Sequence, residues 1–388
     1  STGSEIEYIG KETFSSTSID NIEIPSSIKE IGERTFYWCR NLKNVTIEDS
    51  TSIKTLPKEV FFYSSIEHLF IPSSLIELKE GWCDFTWRLN HITVSPNNKY
   101  FKVIDNKLLV GKSDQNSDYF DVLLFAVRNI THVIIPIEIK TIGAFAFSWC
   151  SYLKSISFPE YSRLTSIEKV AFSYAGFQSI TIPKHVIKIG ERAFYRCDTL
   201  RSVIIPEDSE LTTFGKDCFA YTCIKSLYIP SKLQDMKEGW CNHTPYLTNV
   251  TISPENKYFA YIDNKLLVGK SNESLSDFEF VTFARRDCEK VKIPNCIKKI
   301  KSNSFCECRK LKEVEIEEES ELRIIEEGAF TKSSIEYLFI PSKLKELKEG
   351  WCKHTSKLNH ISISSKNDNF KLIDEKFIVG KSSDCNDD

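Results

Sequence analysis

The sequence holds 388 residues, 41% of them apolar, and its 51 basic side chains against 54 acidic ones leave a formal charge of −3. A charge so near balance argues against the broad basic face that a nucleic-acid partner needs. The longest apolar runs, such as Val122 to Val127, fall far short of the roughly 20 residues of a membrane-spanning helix.

Read in chain order, the sequence closes unit after unit on one dipeptide: Ile24-Pro25, Ile71-Pro72, Ile135-Pro136, Phe158-Pro159, Ile182-Pro183, Ile205-Pro206, Ile229-Pro230, Ile293-Pro294 and Ile340-Pro341. From Pro136 to Pro230 the steps are 23, 24, 23 and 24 residues, so two repeat types alternate. The longer type carries two extra residues after its closing proline, as in Pro206 to Leu211 against Pro183 to Val186, and loses one near its end. Self-similarity at such a period outranks local propensity, because each unit can bury its apolar side only against its neighbours.

Within the units the apolar residues fall into columns. Ile9 and Phe14, Ile31 and Phe36, Ile189 and Phe194, and Ile325 and Phe330 are each five residues apart, which predicts a packed ladder. Leu42, Val45 and Ile47, or Leu200, Val203 and Ile205, show the alternation of a short strand that the following proline ends. A period this brief leaves no room for an ordinary crossover helix, so the strands must stack in parallel from coil to coil.

The pattern Ile189-Gly190-Glu-Arg-Ala193-Phe194-Tyr-Arg-Cys197-Asp-Thr-Leu200, followed by Val203-x-Ile205-Pro206, resembles the BspA-like leucine-rich repeat family of bacterial and protist surface antigens. The resemblance covers nearly the whole chain. It implies a right-handed, mainly β, horseshoe solenoid with strands on its concave face, and adhesion or binding of host proteins. It implies no catalytic residues.

One phrase, from Ile-Pro-Ser-x-Leu through Lys-Glu-Gly-Trp-Cys to Val-Gly-Lys-Ser, occurs three times, at residues 71–113, 229–271 and 340–382. Trp82-Cys83, Trp240-Cys241 and Trp351-Cys352 stand where Thr35-Phe36 stands in an ordinary unit. After the first two copies the next closing position is delayed to 41 residues, as from Ser95 to Pro136. The text Tyr100 to Val110, alternating around Asp105-Asn106, then Phe120 to Phe125, reads as a β-hairpin with a third strand. A single solenoid over residues 1–388 is therefore expected, with hairpin insertions at about 95–130, 253–287 and 364–382. The array begins inside a repeat and stops just after the third hairpin, as expected of a piece of a longer protein.

Chemistry-bearing motifs are weak. Cys39, Cys150, Cys197 and Cys308 share one repeat position that the units between them lack, so the coils that carry them lie about 10 Å apart, beyond the reach of a disulfide. They read as buried fillers. Cys306-x-Cys308 and Cys218-(x)4-Cys223 leave an occasional bridge open. Cys241-x-His243 and Cys352-x-His354 would suit zinc, but the first copy has Phe85 in place of histidine and no further ligand pair follows. Val-Gly-Lys-Ser lacks the first glycine of a phosphate loop, with Asn106, Asn264 and Glu375 in its place. No catalytic group, metal or cofactor is expected.

The residues between the buried ones of each strand must point outward. They give Asn44/Thr46, His68/Phe70, His91/Thr93, His132/Ile134, Ser155/Ser157, Ser202/Ile204, Ser226/Tyr228, Lys290/Lys292, Glu313/Glu315, Tyr337/Phe339 and His360/Ser362. Rigid rings on a hydroxyl-rich platform are natural binding anchors, so Phe70, Tyr228, Tyr337 and Phe339, with His68, His91 and His360, are the candidate ligand-binding residues. The expected protein is a secreted or cell-surface adhesion module for a host cell-surface or extracellular-matrix protein. The alternative is an intracellular interaction scaffold on the same solenoid. Sequons at Asn44, Asn129, Asn242, Asn249 and Asn272 favour the first.

Overall fold

The computed structural model describes residues 6–373 and 377–380, and no helix occurs among them. The chain divides into two compact units, Ser1–Leu200 and Arg201–Asp388. Each is a parallel β-solenoid whose coils are joined along three lines of backbone hydrogen bonds.

The main ladder of the first unit stacks Asn21–Ile24, Asn44–Ile47, His68–Ile71 and His91–Val94, in the register Asn21↔Asn44, Asn44↔His68 and His68↔His91. A second ladder is made of two-residue strands, among them Thr141–Ile142, Ser166–Ile167 and Lys188–Ile189. Here the register steps are 25 residues from Thr141 to Ser166 and 22 from Ser166 to Lys188. The main ladder instead alternates 23 and 24. Both schemes reflect where the extra residues sit. From the main strand to the short strand runs nine residues between Asn21 and Glu30, but eleven between Asn44 and Thr55.

The third line runs along a corner with no regular secondary structure. Arg34 and Trp38, Glu59 and Tyr63, Phe145 and Trp149, and Val170 and Tyr174 all take left-handed backbone angles, with φ between 56° and 64°. This conformation aims the intervening N–H groups at the next coil. Phe36 N donates to Val60 O at 2.9 Å and Trp38 N to Phe62 O at 2.8 Å, and Phe147 and Trp149 repeat the pattern to Ala171 and Ser173. Each left-handed residue with a side chain costs of order 1 kcal/mol, but an unpaired backbone group would cost at least as much. Gly81, the glycine of the first Gly-Trp-Cys, occupies the first of the two left-handed positions at φ 69°, where it escapes that penalty.

Under the corner lies the phenylalanine column. Phe14, Phe36 and Phe61 stack with centroids 5.6 Å apart, and Phe147, Phe172 and Phe194 follow at 5.1 and 5.3 Å. Trp82 is buried in the same layer against Phe125, 5.7 Å away.

The first insertion pairs Phe101–Ile104 with Leu108–Gly111, and Leu108–Gly111 with Val122–Ala126, all antiparallel. Asp105 and Asn106 both have positive φ, as a tight two-residue hairpin turn requires. Val122–Ala126 then runs parallel to Thr141–Ile142 and so takes the place of a coil in the second ladder. The corner skips that coil. Phe85 packs directly on Trp149 at 5.0 Å, and Ser148 Oγ donates to Asp84 Oδ1 at 3.3 Å. Where the skipped corner would be, Arg128 is buried to 1% exposure. Its Nη1 donates to Ala146 O at 3.1 Å and its guanidinium lies 4.1 Å from the centre of the Phe125 ring.

The second unit repeats this plan. Its main ladder holds Ser226–Ile229 with Asn249–Ile252, and Lys290–Lys292, Glu313–Glu315, Tyr337–Ile340 and His360–Ile363. Its insertion pairs Phe259–Ile262, Leu266–Gly269 and Phe280–Ala284. Arg286 is its buried arginine, with Nη1 donating to Ser304 O at 2.9 Å. The third insertion pairs Phe370–Ile373 with Phe377–Gly380. Its turn, residues 374–376, and the Lys-Ser of the third Val-Gly-Lys-Ser lie outside the described residues.

One asparagine anchors each insertion. Asn256 Nδ2 donates to Pro230 O at 2.7 Å and Leu233 O at 2.9 Å, while its Oδ1 accepts from the N–H groups of Tyr258 and Phe259. Asn98 and Asn367 make the same four contacts to their own neighbours. Replacing Asn256 by alanine should therefore lower stability by about 2–3 kcal/mol, since four backbone groups lose their partner. Asn256→Asp should also destabilise, because it keeps the accepting oxygen but faces two carbonyls with another. Urea midpoints check both, and a parental midpoint for Asn256→Ala would show that the anchor holds nothing.

Candidate functional site: the outward face of the main ladder

The outward residues of the main ladder fall into separate patches. In the first unit His68 and His91 lie directly opposite in adjacent strands, with ring centroids 5.5 Å apart and edge to face. Phe70 follows on the same face and is half-buried. In the second unit the Tyr337 ring stacks on His360 at 5.3 Å, and its hydroxyl bonds with Ser362 Oγ at 2.6 Å. Phe339 is half-buried and packs against that unit's core. Tyr228, also half-buried, lies opposite Thr251 in the Ser226–Ile229 pair, apart from the other aromatic residues of the face. The structure thus joins His68 with His91 and Tyr337 with His360, while none of the four aromatic candidates is fully exposed.

The most exposed large apolar side chain on this face is one that sequence reasoning did not select. Ile134 is 72% exposed. It lines a cleft of about 520 Å³ between the turn of the first insertion, Asp105 to Leu108, and the strands His132–Ile134 and Ser155–Ser157. His132 Nδ1 and Ser155 Oγ hydrogen-bond at 2.8 Å beside it. The matching place in the second unit has filled itself with charge. Lys290 pairs with Glu313 at 2.9 Å and Glu315 at 3.2 Å, Lys292 pairs with Glu315 and Glu317, and Lys265 Nζ donates to Lys290 O at 3.0 Å. Their hydrogen bonds to these carboxylates raise the pKa of both lysines.

A second surface was also missed. At the second left-handed position, two residues after the core phenylalanine or, for Phe85, after Cys83, Trp38, Tyr63, Phe85, Trp149 and Tyr174 form one continuous stack, with centroids 4.0–5.0 Å apart. Trp38 carries the Arg40 guanidinium 4.4 Å above its ring. The signal was present as Phe36-x-Trp38, Phe61-x-Tyr63, Phe147-x-Trp149 and Phe172-x-Tyr174.

In the second unit that corner changes from aromatic to charged. His243 Nδ1 donates to Glu307 Oε1 at 2.9 Å, and Arg309 and Lys332 lie 2.7 and 3.4 Å from the same carboxylate. Cys241 turns the other way, with Arg286 Nη2 3.6 Å from its sulfur, so Cys241 and His243 do not converge. Of the sequon residues, Asn44, Asn129, Asn249 and Asn272 are exposed and Asn242 is half-buried. Asn44 Nδ2 donates to Asn21 Oδ1 at 2.6 Å.

Residues 1–106, 121–260 and 276–378 match a family model described as BspA type Leucine rich repeat region, in six copies. The chain belongs to this BspA-type family. The stretches left unmatched between these segments, 107–120 and 261–275, hold the middle strand of each of the first two hairpins and its outgoing loop. Among solved structures it is similar to the pneumococcal vaccine antigen PcpA, at 20% identity and a TM-score of 0.52, over 95% of this chain and 71% of that one. It is also similar to a leucine-rich repeat protein of Eubacterium ventriosum, at 18% identity and a TM-score of 0.51, over 96% and 85% of the two chains. These likenesses show the fold of a BspA-type solenoid. No curated protein matches the chain.

The Glu307 cluster gives a measurable pH dependence. Burial opposes its charge, yet the hydrogen bonds from His243 and Arg309 and the charges of Arg309 and Lys332 hold its pKa at about 2, against an ordinary 4.5. A depressed carboxylate pKa contributes stability above the unfolded value and loses it as pH falls from about 4.5 towards 2. After screening by its exposed partners the share is roughly 1–2 kcal/mol. Glu307→Gln should be less stable than the parent by that amount at neutral pH in urea unfolding, and the gap should close below pH 4. A gap that persists in acid would assign the loss to packing.

Proposed function

We propose that this BspA-type protein is a non-catalytic adhesion module, secreted or held at a cell surface, that binds an extracellular or host protein through the outward face of its main ladder. The observation that carries the reading is the contrast between the two hairpin clefts. In the second unit lysines and glutamates satisfy one another, whereas in the first an isoleucine stands open among a histidine and two serines. An apolar side chain ringed by hydroxyls, beside a rigid hairpin turn, is the arrangement of a small interface anchor with a polar rim. His68, Phe70 and His91, and Tyr337, Phe339 and His360, supply two further patches, and Tyr228 a third. The half-burial of Phe70, Tyr228, Tyr337 and Phe339 holds those four rings rigid, which lowers the entropy lost on binding. A surface location is supported by likeness to PcpA, which is named as a vaccine antigen.

The test is binding of the purified chain to a panel of extracellular-matrix proteins by surface plasmon resonance. For a matrix protein that binds, Ile134→Asp should weaken affinity at least tenfold, or about 1.4 kcal/mol. Replacing Phe70 and Tyr337 together by serine should produce a comparable loss. Undiminished binding by all these variants would move the interface off the ladder.

A further inference from the structure

The two insertions are copies 158 residues apart, and their buried arginines have different sulfur environments. Arg128 Nη1 lies 3.7 Å from Cys150 Sγ. Arg286 has Cys308 and Cys241 sulfurs each at 3.6 Å from its Nη1 and Nη2. Cys150 and Cys308 are equivalent, as are Cys83 and Cys241. Three further thiols are peculiar to the second copy: Cys288 stands where the first has Ile130, Cys296 where it has Glu138, and Cys306 where it has Ser148.

Cys288 is the one whose geometry matters. Its Sγ donates to Arg285 O at 2.9 Å, and Cys308 Sγ lies 3.9 Å from that same oxygen. Both thiols thus meet at one carbonyl oxygen, and the neighbouring Cys308 thiol lowers the pKa of Cys288. Both are buried, at 2% and 0% exposure, and they come from different parts of the coil path: Cys288 ends the insertion and Cys308 lies in the corner of the coil that follows. Disulfide formation needs paired sulfurs already within contact reach, which the columnar cysteines of alternate coils are not.

We infer that Cys288 and Cys308 form an internal disulfide in an oxidising environment, stapling the second insertion to the next coil. The oxidant is a small-molecule disulfide such as glutathione disulfide. The Cys288 thiolate attacks one of its sulfurs, and one glutathione leaves, taking up the proton Cys288 gave. Cys308 then attacks the Cys288 sulfur of the mixed disulfide, and its proton goes with the second glutathione. One S–S bond is exchanged for another, the protein loses two hydrogens, and two thiols of glutathione are produced. The neighbouring Cys308 thiol lowers the Cys288 pKa, whereas burial pushes Cys306 to about 11 and Cys241 to about 12, so Cys288 is the natural attacker. Because both sulfurs are buried, the exchange takes place while the coil forms or transiently opens.

The experiment equilibrates the purified full chain with oxidised and reduced glutathione, traps thiols by alkylation in denaturant, and maps peptides by mass spectrometry. The expected result is a Cys288–Cys308 linked peptide that has lost two hydrogens, with Cys39, Cys150 and Cys197 fully alkylated. Cys288→Ile, which installs the residue of the first copy, should fold as the parent does, lose the linked peptide and leave Cys308 alkylated. Alkylated Cys288 in the oxidised parent, or Cys308 linked to Cys241 or Cys306, would overturn the assignment.

Discussion

Everything in this structure depends on one constraint: a coil of 23 or 24 residues cannot bury its own apolar side, so its backbone must bond to the coils above and below. The main strands meet that need along one side and the two-residue strands along another. The remaining side has no strand at all, and the chain meets it by placing residues such as Arg34 and Trp38 in the left-handed region, from which the N–H groups of Phe36 and Trp38 reach the next coil. The cost of those angles is offset by backbone pairing and by the phenylalanine stack directly beneath. Removing a neighbour would strand all three lines at once, which is why stability in such repeats lives at the interfaces between units.

The insertions obey the same constraint. Val122–Ala126 substitutes for a short strand, so the second ladder continues, while the corner closes over the gap through Phe85 and Trp149. A hole would remain where the missing corner should lie. Arg128 and Arg286 fill it, donating to the carbonyls of Ala146 and Ser304, with an aromatic face for the guanidinium. A buried arginine without a carboxylate partner is expensive, and here carbonyl, sulfur and ring contacts share the task of solvating it.

Much of the fold was legible because its signals are repeated. Val-x-Ile alternation placed the main strands, the five-residue Ile-to-Phe spacing placed the core, and Asp105-Asn106 placed a hairpin turn. The corner was not legible, since Trp38, Tyr63, Glu59 and Val170 have no local preference for a left-handed angle and only scattered glycines, Gly81, Gly239, Gly328 and Gly350, hint at one. Nor was the arginine plug, although Phe125-Ala126-x-Arg128 recurs as Phe283-Ala284-x-Arg286. For the candidate site, alternation correctly sent Phe70, Tyr337 and Phe339 to the outward face, but it carries no information on how far neighbouring side chains cover them. Tyr337 lies on His360, Phe339 reaches the core, and the open position proved to be Ile134, whose exposure depends on a hairpin turn some thirty residues earlier in the chain.

The outward face of each unit is carried on stacked coils and differs in chemistry, apolar and hydroxylic at Ile134 in the first and charge-paired at Lys290 and Glu313 in the second. Its rigidity rests on the corner bonds, and native-state amide hydrogen exchange tests them directly. The account predicts that the amides of Phe36, Trp38, Phe147 and Trp149 exchange as slowly as those of Val45 and Ile156 in the main strands, and far more slowly than those of the exposed loop at Asp114 to Asp118. Exchange of the corner amides at loop rates would contradict it.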